Sequence, residues 1–159
     1  MRVHIGGDHA AFDLHNDLVA FLEGEGHEVV NHGPLTYDAL DDYPVFVLRA
    51  ARGVADDLAG GVPVRGIVLG GSGNGEQMAA NKVEGIRAAL CYNVELAQLA
   101  REHNDAQIIS IGGRMNTVEE ARAMVTTFIA TDFSGEERHQ RRIDMVGDYE
   151  TSGTVPALP

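Results

Sequence analysis

Apolar and polar positions along the chain alternate between two periods. Five short runs are almost continuously apolar: MRVHIGG at 1–7, HEVVNHG at 27–33, RGIVLGG at 65–71, IRAALCY at 86–92 and QIISIGG at 107–113. Each reads as a strand. Between them, apolar residues recur near a helical spacing. Ala10 to Glu25 carries Phe12, Leu14, Leu18, Val19, Phe21 and Leu22, and Gly26 stops that helix. After the loop GPLTYDALDDYP, helices are predicted over Val45–Leu58, about Gly75–Val83, Val94–His103 and from Thr117 onward. Thr117 is an N-cap with Glu120 at capping-box spacing, and Ser134 with Glu137 repeats that signature before a last helix ending at about Tyr149. The tail TSGTVPALP has no period and reads as a loose end or an arm on a neighbouring subunit.

Strands alternating with helices predict βαβ units and a parallel sheet covered on both faces. The expected fold class is α/β. It is a single three-layer, doubly wound domain with a five-stranded parallel sheet, Rossmann-like or flavodoxin-like. It spans 1–150, with 151–159 as a C-terminal tail. Ligands in such sheets sit beyond the carboxyl ends of the strands. Those ends carry Gly-Asp-His at 7–9, Gly-Gly-Ser-Gly-Asn-Gly-Glu at 70–76 and Gly-Gly-Arg at 112–114. His103 and Asn104 fall at the far end of the fourth helix, the wrong edge of the sheet for their own subunit's pocket.

Composition narrows the picture. A chain of 159 residues, 44% of them hydrophobic, is long enough to bury one real core. No apolar run approaches the ~20 residues of a membrane span, and MRVHIGGDHA lacks a secretory leader. Cys91 is the sole cysteine, which excludes an internal disulfide and any multi-cysteine zinc site. The cytosol is the default compartment. A net charge of −12 repels nucleic acid and anionic membranes. Of the 12 basic residues only Lys82 is a lysine. Arginine's planar fork suits oxyanions, although a GC-rich coding sequence produces the same bias.

The glycine loop VLGGSGNGEQMAANK, 68–82, carries the most specific chemistry. It is not a Walker loop, because Glu76 follows Gly75 where a lysine belongs. Nor is it a dinucleotide fingerprint, which would need a third glycine at 76 and a place after the first strand. What remains is a set of backbone N–H groups at a helix start, able to stabilise an oxyanion formed during reaction. Glu76 beside them then makes sense as the base that creates it. The loop alone leaves open the plainer role of an acid complementing the helix dipole. The dipole lowers the carboxyl pKa and burial raises it, so the net direction also stays open.

Other residues are weaker on their own. Asp8 and His9 end a strand where polar groups have no packing reason to be, though a solvated histidine is common there. Arg138 and Arg142 share a helix face at i, i+4 and suit one phosphate, or else pair with Glu136 and Glu137. His139 and Arg141 point elsewhere on that helix. His4, His15, His27 and His32 lack metal-ligand spacing and read as structural or exposed. Tyr43-Pro44 reads as a loop and helix start, and Cys91 as core.

Together, GGDHAAF, DDYP at 41–44, GGSGNGEQMAANK, REHNDAQIISIGGR at 101–114 and RHQRRI closely resemble ribose-5-phosphate isomerase type B. That group falls within a wider sugar-phosphate isomerase family with the galactose-6-phosphate isomerases. The resemblance runs from about Arg2 to Tyr149. It implies an aldose–ketose isomerase, without metal or cofactor, interconverting ribose 5-phosphate and ribulose 5-phosphate. By that resemblance Glu76 moves a proton between carbons 1 and 2 through a cis-enediolate. The N–H groups around Gly71 to Gly75 hold the enediolate oxygen, and Ser72 orients the site. His103 opens the furanose ring with Asn104 beside it. Asp8 binds sugar hydroxyls, while His9, Arg114, Arg138 and Arg142 hold the phosphate. The family's site is built at a dimer interface. This implies a homodimer, with a tetramer left open, in which the partner supplies His103, Asn104 and with them Arg114.

One branch of the family uses a cysteine base at the end of the third strand, where this chain has Gly70; the carboxylate branch matches here. Ala11 and Phe12 replace a common Gly-Tyr pair, which leaves sugar length less certain, and His15 replaces a usual lysine. Two alternatives follow: an isomerase of erythrulose 4-phosphate, allose 6-phosphate or galactose 6-phosphate, or a non-catalytic phosphosugar-binding module.

Overall fold

Strands and helices alternate throughout the computed structural model, which describes residues 1–158. The strands are β1 (Arg2–Gly7), β2 (Glu28–Asn31), β3 (Val64–Gly70), β4 (Ala88–Leu90) and β5 (Ile108–Gly112). All pair in parallel, in the order β2-β1-β3-β5-β4. The α/β sandwich read from the sequence is therefore the observed fold. The order differs from the 2-1-3-4-5 of a flavodoxin-like sheet, because the chain runs out to the edge as β4 before returning to insert β5.

Two cores explain why these strands read as unbroken apolar runs. Val3 and Ile5 of β1, Ile67 and Leu69 of β3, and Ile109 and Ile111 of β5 face one core, under α1 (Phe12–Gly24), α4 (Val94–Asn104) and α5 (Val118–Ala130). Val64, Val68 and Ile108 face the other, under α2 (Tyr43–Ala59) and α3 (Asn74–Ala80). With a layer on each face, nearly every position of β1, β3 and β5 is buried and the period of two disappears there, whereas the edge strands β2 and β4 are partly exposed. His4 interrupts this run on β1. Its Nε2 lies 2.9 Å from Asp57 of α2 and its Nδ1 2.8 Å from His32, so the buried ring is satisfied.

Element ends depart from the expected ones for local reasons. The helix expected from Ala10 begins as a single 3-10 turn, His9–Ala11, capped by Asp8, and α1 proper starts at Phe12. α2 starts at Tyr43 with Pro44 in its first turn, a position where the missing N–H costs nothing. The capping box at Thr117 forms as expected, with Glu120 N–H donating to Thr117 Oγ1 and Thr117 N–H to the Glu120 carboxylate. The one expected at Ser134 does not. Ser134 Oγ lies 2.8 Å from His139 Nδ1 instead, and α6 (Glu137–Ser152) begins after Glu136 without a side-chain cap. A buried imidazole competes with the helix N–H groups for the hydroxyl. α6 also runs on to Ser152.

From β1 the chain passes outward to β2 and then back across to β3. A doubly wound sheet opens its ligand crevice where the winding reverses in this way. Here that point lies between the carboxyl ends of β1 and β3.

Candidate active site

The crevice is a cleft of about 510 Å³ lined by Asp8, His9, Gly71, Ser72, Gly75, Glu76 and Arg114, together with Ala10, Tyr43 and Met115. Seven residues singled out in the sequence thus meet in one place. β1 delivers Asp8 and His9, β3 delivers the glycine loop, and β5 delivers Arg114 through the turn after Gly112.

Three glycines shape the loop. Gly73 holds a left-handed conformation (φ 81°) at the N-cap of α3, which side chains rarely adopt. Its carbonyl accepts a 2.7 Å bond from the buried Ser110 hydroxyl on β5, which ties the loop to the sheet. Any Cβ on Gly75 would press into the Tyr43 ring, 2.7 Å from its Cζ. Gly70 matters most, because a Cβ there would overlap the Glu76 carboxylate itself. The glutamate folds back over the end of β3 into space that only glycine leaves free.

Glu76 is 4% exposed although it sits in the first turn of a helix. Burial pushes its pKa up most, N–H groups of Glu76 and Gly73 pull it back, and nearby Asp8 pushes it up further. The net direction is upward, which resolves the question the sequence left open. Asp8 is buried too and raised chiefly by desolvation, against a 2.9 Å bond from Ala10 N–H and the charges of His9 and Arg114. The backbone N–H and ring Nδ1 of His9 both reach Asp41 Oδ1, at 3.0 and 2.7 Å. This pair of hydrogen bonds fixes the ring and leaves Nε2 for another partner. Tyr37 packs edge-on against the same ring.

Asp8, His9 and Asp41 bring donor atoms within 4.8 Å of one another, a spacing a cation could bridge. Asp41 Oδ1 is engaged twice by His9 and Asp8 by the Ala10 amide, so the trio acts as a holder for His9.

The remaining expected residues lie elsewhere in the chain. His103 and Asn104 end α4 and do not line the cleft. The His103 ring packs 4.2 Å, centroid to centroid, from His139 on α6. Arg138 pairs with Glu136 at 2.7 Å, the plainer role weighed for it. Arg142 flanks an apolar groove with Met145, Val146 and Tyr149. Arg114 corrects one expectation: instead of coming with a partner's residues it lies in its own chain's cleft, close against Gly71. The turn after β5 is hydrogen-bonded to the loop after β3, Gly113 N–H to Gly70 O and Arg114 N–H to Gly71 O, which puts the side chain there.

Sequence reasoning missed Tyr43, Asp41 and Met115. The signal was present in DDYP, but a loop reading gave its aspartate and tyrosine no ligand to face.

Fold and site define a doubly wound α/β protein with a buried carboxylate facing a cleft at the switch point, sized for a small polar ligand. The chain belongs to the family described as Ribose/Galactose Isomerase, which matches residues 3–146. It is 55% identical over 160 aligned positions to ribose-5-phosphate isomerase B of Mycolicibacterium paratuberculosis, covering 100% of this chain and 98% of that protein. Its fold matches a Clostridium thermocellum ribose-5-phosphate isomerase B with a TM-score of 0.89 at 38% identity, covering 97% and 100% of the two chains. It likewise matches the Mycoplasma genitalium ribose-5-phosphate isomerase B with bound ribulose-5-phosphate, with a TM-score of 0.88 at 36% identity, covering 95% and 97%.

Proposed function

We propose that this protein is an aldose–ketose isomerase interconverting D-ribose 5-phosphate and D-ribulose 5-phosphate. The observation that carries the reading is the Glu76 carboxylate, buried over Gly70 with a raised pKa, in a cleft that also holds His9 and Arg114. A base with a histidine and an arginine across a small cleft is the minimum for moving a carbon-bound proton on a phosphosugar.

In this mechanism the ionised Glu76 takes the proton from carbon 2 of the open-chain aldose and returns it to carbon 1. The hydroxyl proton moves from the carbon 2 oxygen to the carbon 1 oxygen, so atoms and charge balance. Backbone N–H groups of the 71–75 loop stabilise the enediolate oxygen, Ser72 orients the loop, and Asp8 receives sugar hydroxyls. His9 and Arg114 anchor the phosphate from the cleft side. Arg138 and Arg142 would complete that anchor, and His103 with Asn104 would open the ring, from a partner subunit. Support for the partner comes from a grouping: α4 and α6 gather His103, Arg138 and Arg142 away from their own cleft. Half-exposed Met145, Val146 and Tyr149 beside Arg142 form an apolar strip of the kind that packs against another chain. The working form is then a cytosolic homodimer, with residues 1–150 as the isomerase domain and 151–159 as its tail.

Comparing kcat/KM for four-, five- and six-carbon sugar phosphates tests the reading. A clear preference for ribose 5-phosphate is expected. Because the family description also covers galactose, a preference for a six-carbon phosphate would move the assignment to that substrate while keeping Glu76 as base. Absence of deuterium uptake from heavy water into any of these sugars would leave a binding module instead.

A further inference from the structure

His139 has no place in the chemistry described so far, yet it is the one buried residue of α6, at 3% exposure. The rest of that helix faces solvent or lies half-buried. Burying an imidazole on such a helix is costly unless its nitrogens are satisfied, and an aliphatic side chain would cover the same surface without that cost. The ring is held on two sides. Ser134 Oγ lies 2.8 Å from Nδ1, and the His103 ring lies 4.2 Å away at a 39° tilt. Ser134 is itself anchored to the end of α4, through its N–H to the carbonyl of Glu102, the residue before His103. Ser134, His139 and His103 therefore form one closed unit at the junction of α4 and α6.

We propose that His139 is a positioning residue for His103, its ring fixed by Ser134 so that it sets the His103 imidazole at the angle ring opening requires. The inference rests on the ring-opening role assigned to His103 above. Ring opening transfers the anomeric hydroxyl proton to the ring oxygen as the bond from carbon 1 to that oxygen breaks. A histidine that accepts one proton and returns the other must keep its orientation through both transfers. His139 also sets the local charge. Burial lowers its pKa most, then His103, Arg138 and Arg142 add to the lowering against the opposing pull of Glu136. A ring that resists protonation keeps a second positive charge away from the face of His103.

The test separates ring opening from enolisation. Ribulose 5-phosphate cannot close a furanose ring, so deuterium uptake at its carbon 1 in heavy water bypasses ring opening. Turnover of ribose 5-phosphate does not. His139→Phe keeps an aromatic ring and removes the hydrogen bond to Ser134. It is expected to lower kcat/KM for ribose 5-phosphate roughly tenfold while deuterium uptake changes less than about twofold. Ser134→Ala, at an exposed position, should show the same selective loss, roughly threefold, and decides the matter alone if His139→Phe does not fold. Equal losses in both assays, or no loss in either, would overturn the positioning role. A wild-type protein that takes up no deuterium from ribulose 5-phosphate would overturn the isomerase reading itself, and equal losses in His103→Ala would overturn the role of His103.

Discussion

At the scale of single residues, the site turns on Glu76 and the glycine beneath it. Glu76→Gln removes the proposed base and is expected to cut kcat by several orders of magnitude, as loss of a catalytic base does, with phosphosugar binding retained in calorimetry. The same change should stabilise the protein. Burial holds the folded pKa of Glu76 above its unfolded value, so the folded chain binds that proton more tightly. The stabilising contribution is complete below the unfolded pKa and disappears as pH rises through the folded one. The Tm of Glu76→Gln should therefore exceed wild type at neutral pH and converge with it below about pH 4. Activity follows the opposite sense, because only ionised Glu76 accepts a proton. The acid limb of kcat/KM is expected above the ordinary glutamate range of ~4.3, and it should vanish in a Glu76→Gln background. At Gly70 even a methyl group would displace the carboxylate. Gly70→Ala should lower kcat about a hundredfold with a smaller change in KM, as expected for an interaction made mainly in the transition state.

At the scale of elements, the loop is held by the strand behind it. Ser110→Ala would leave the buried Gly73 carbonyl with the Gln77 N–H as its one remaining donor at the N-cap of α3. A cost of about 0.5–1.5 kcal/mol is expected, measurable by denaturant unfolding, together with reduced turnover as the loop carrying Glu76 loses its tie to β5. The inner strands β1, β3 and β5 were legible in the sequence because both faces are buried, which makes each one a plain apolar run. Their ends were not. Ile86 and Cys91 belong to apolar runs and are buried in the two cores, yet neither pairs in β4. Burial leaves a mark on composition, whereas ladder pairing does not. Cys91 is core as expected, its thiol pushed up to about 12 by burial. Tyr43 was legible as a helix start and illegible as a cleft wall, because its contact with Gly75 joins segments far apart in the chain. Ser134 carried a sound capping signature that a local contact with His139, five residues on, overrode.

At the scale of the whole molecule, one chain brings together Glu76, the glycine loop, His9 and Arg114, and holds His103 and Asn104 apart from them. Topology made this separation visible from sequence, since α4 ends on the opposite edge of the sheet from the strand termini. The origin of Arg114 was not visible, because it depends on how tightly the turn after β5 is bonded to the loop after β3. If two copies share each site, two dead variants should rescue one another. Glu76→Gln and His103→Ala, mixed and allowed to exchange subunits, form hybrids in which one of two sites is intact. Random pairing then restores about a quarter of wild-type turnover on ribose 5-phosphate. Turnover in the mixture that merely equals the average of the two parents would show each site to be built from one chain.

The fold of Glu76 back over Gly70 reaches beyond this enzyme to the history open to its relatives. On a backbone of this shape a side chain rooted at 70 and the carboxylate rooted at 76 compete for one space, so that the first moves the second aside. A descendant bearing both crowds one cavity, and a descendant bearing neither has nothing to take the proton. Exchanging one for the other without crowding therefore asks both positions to change together.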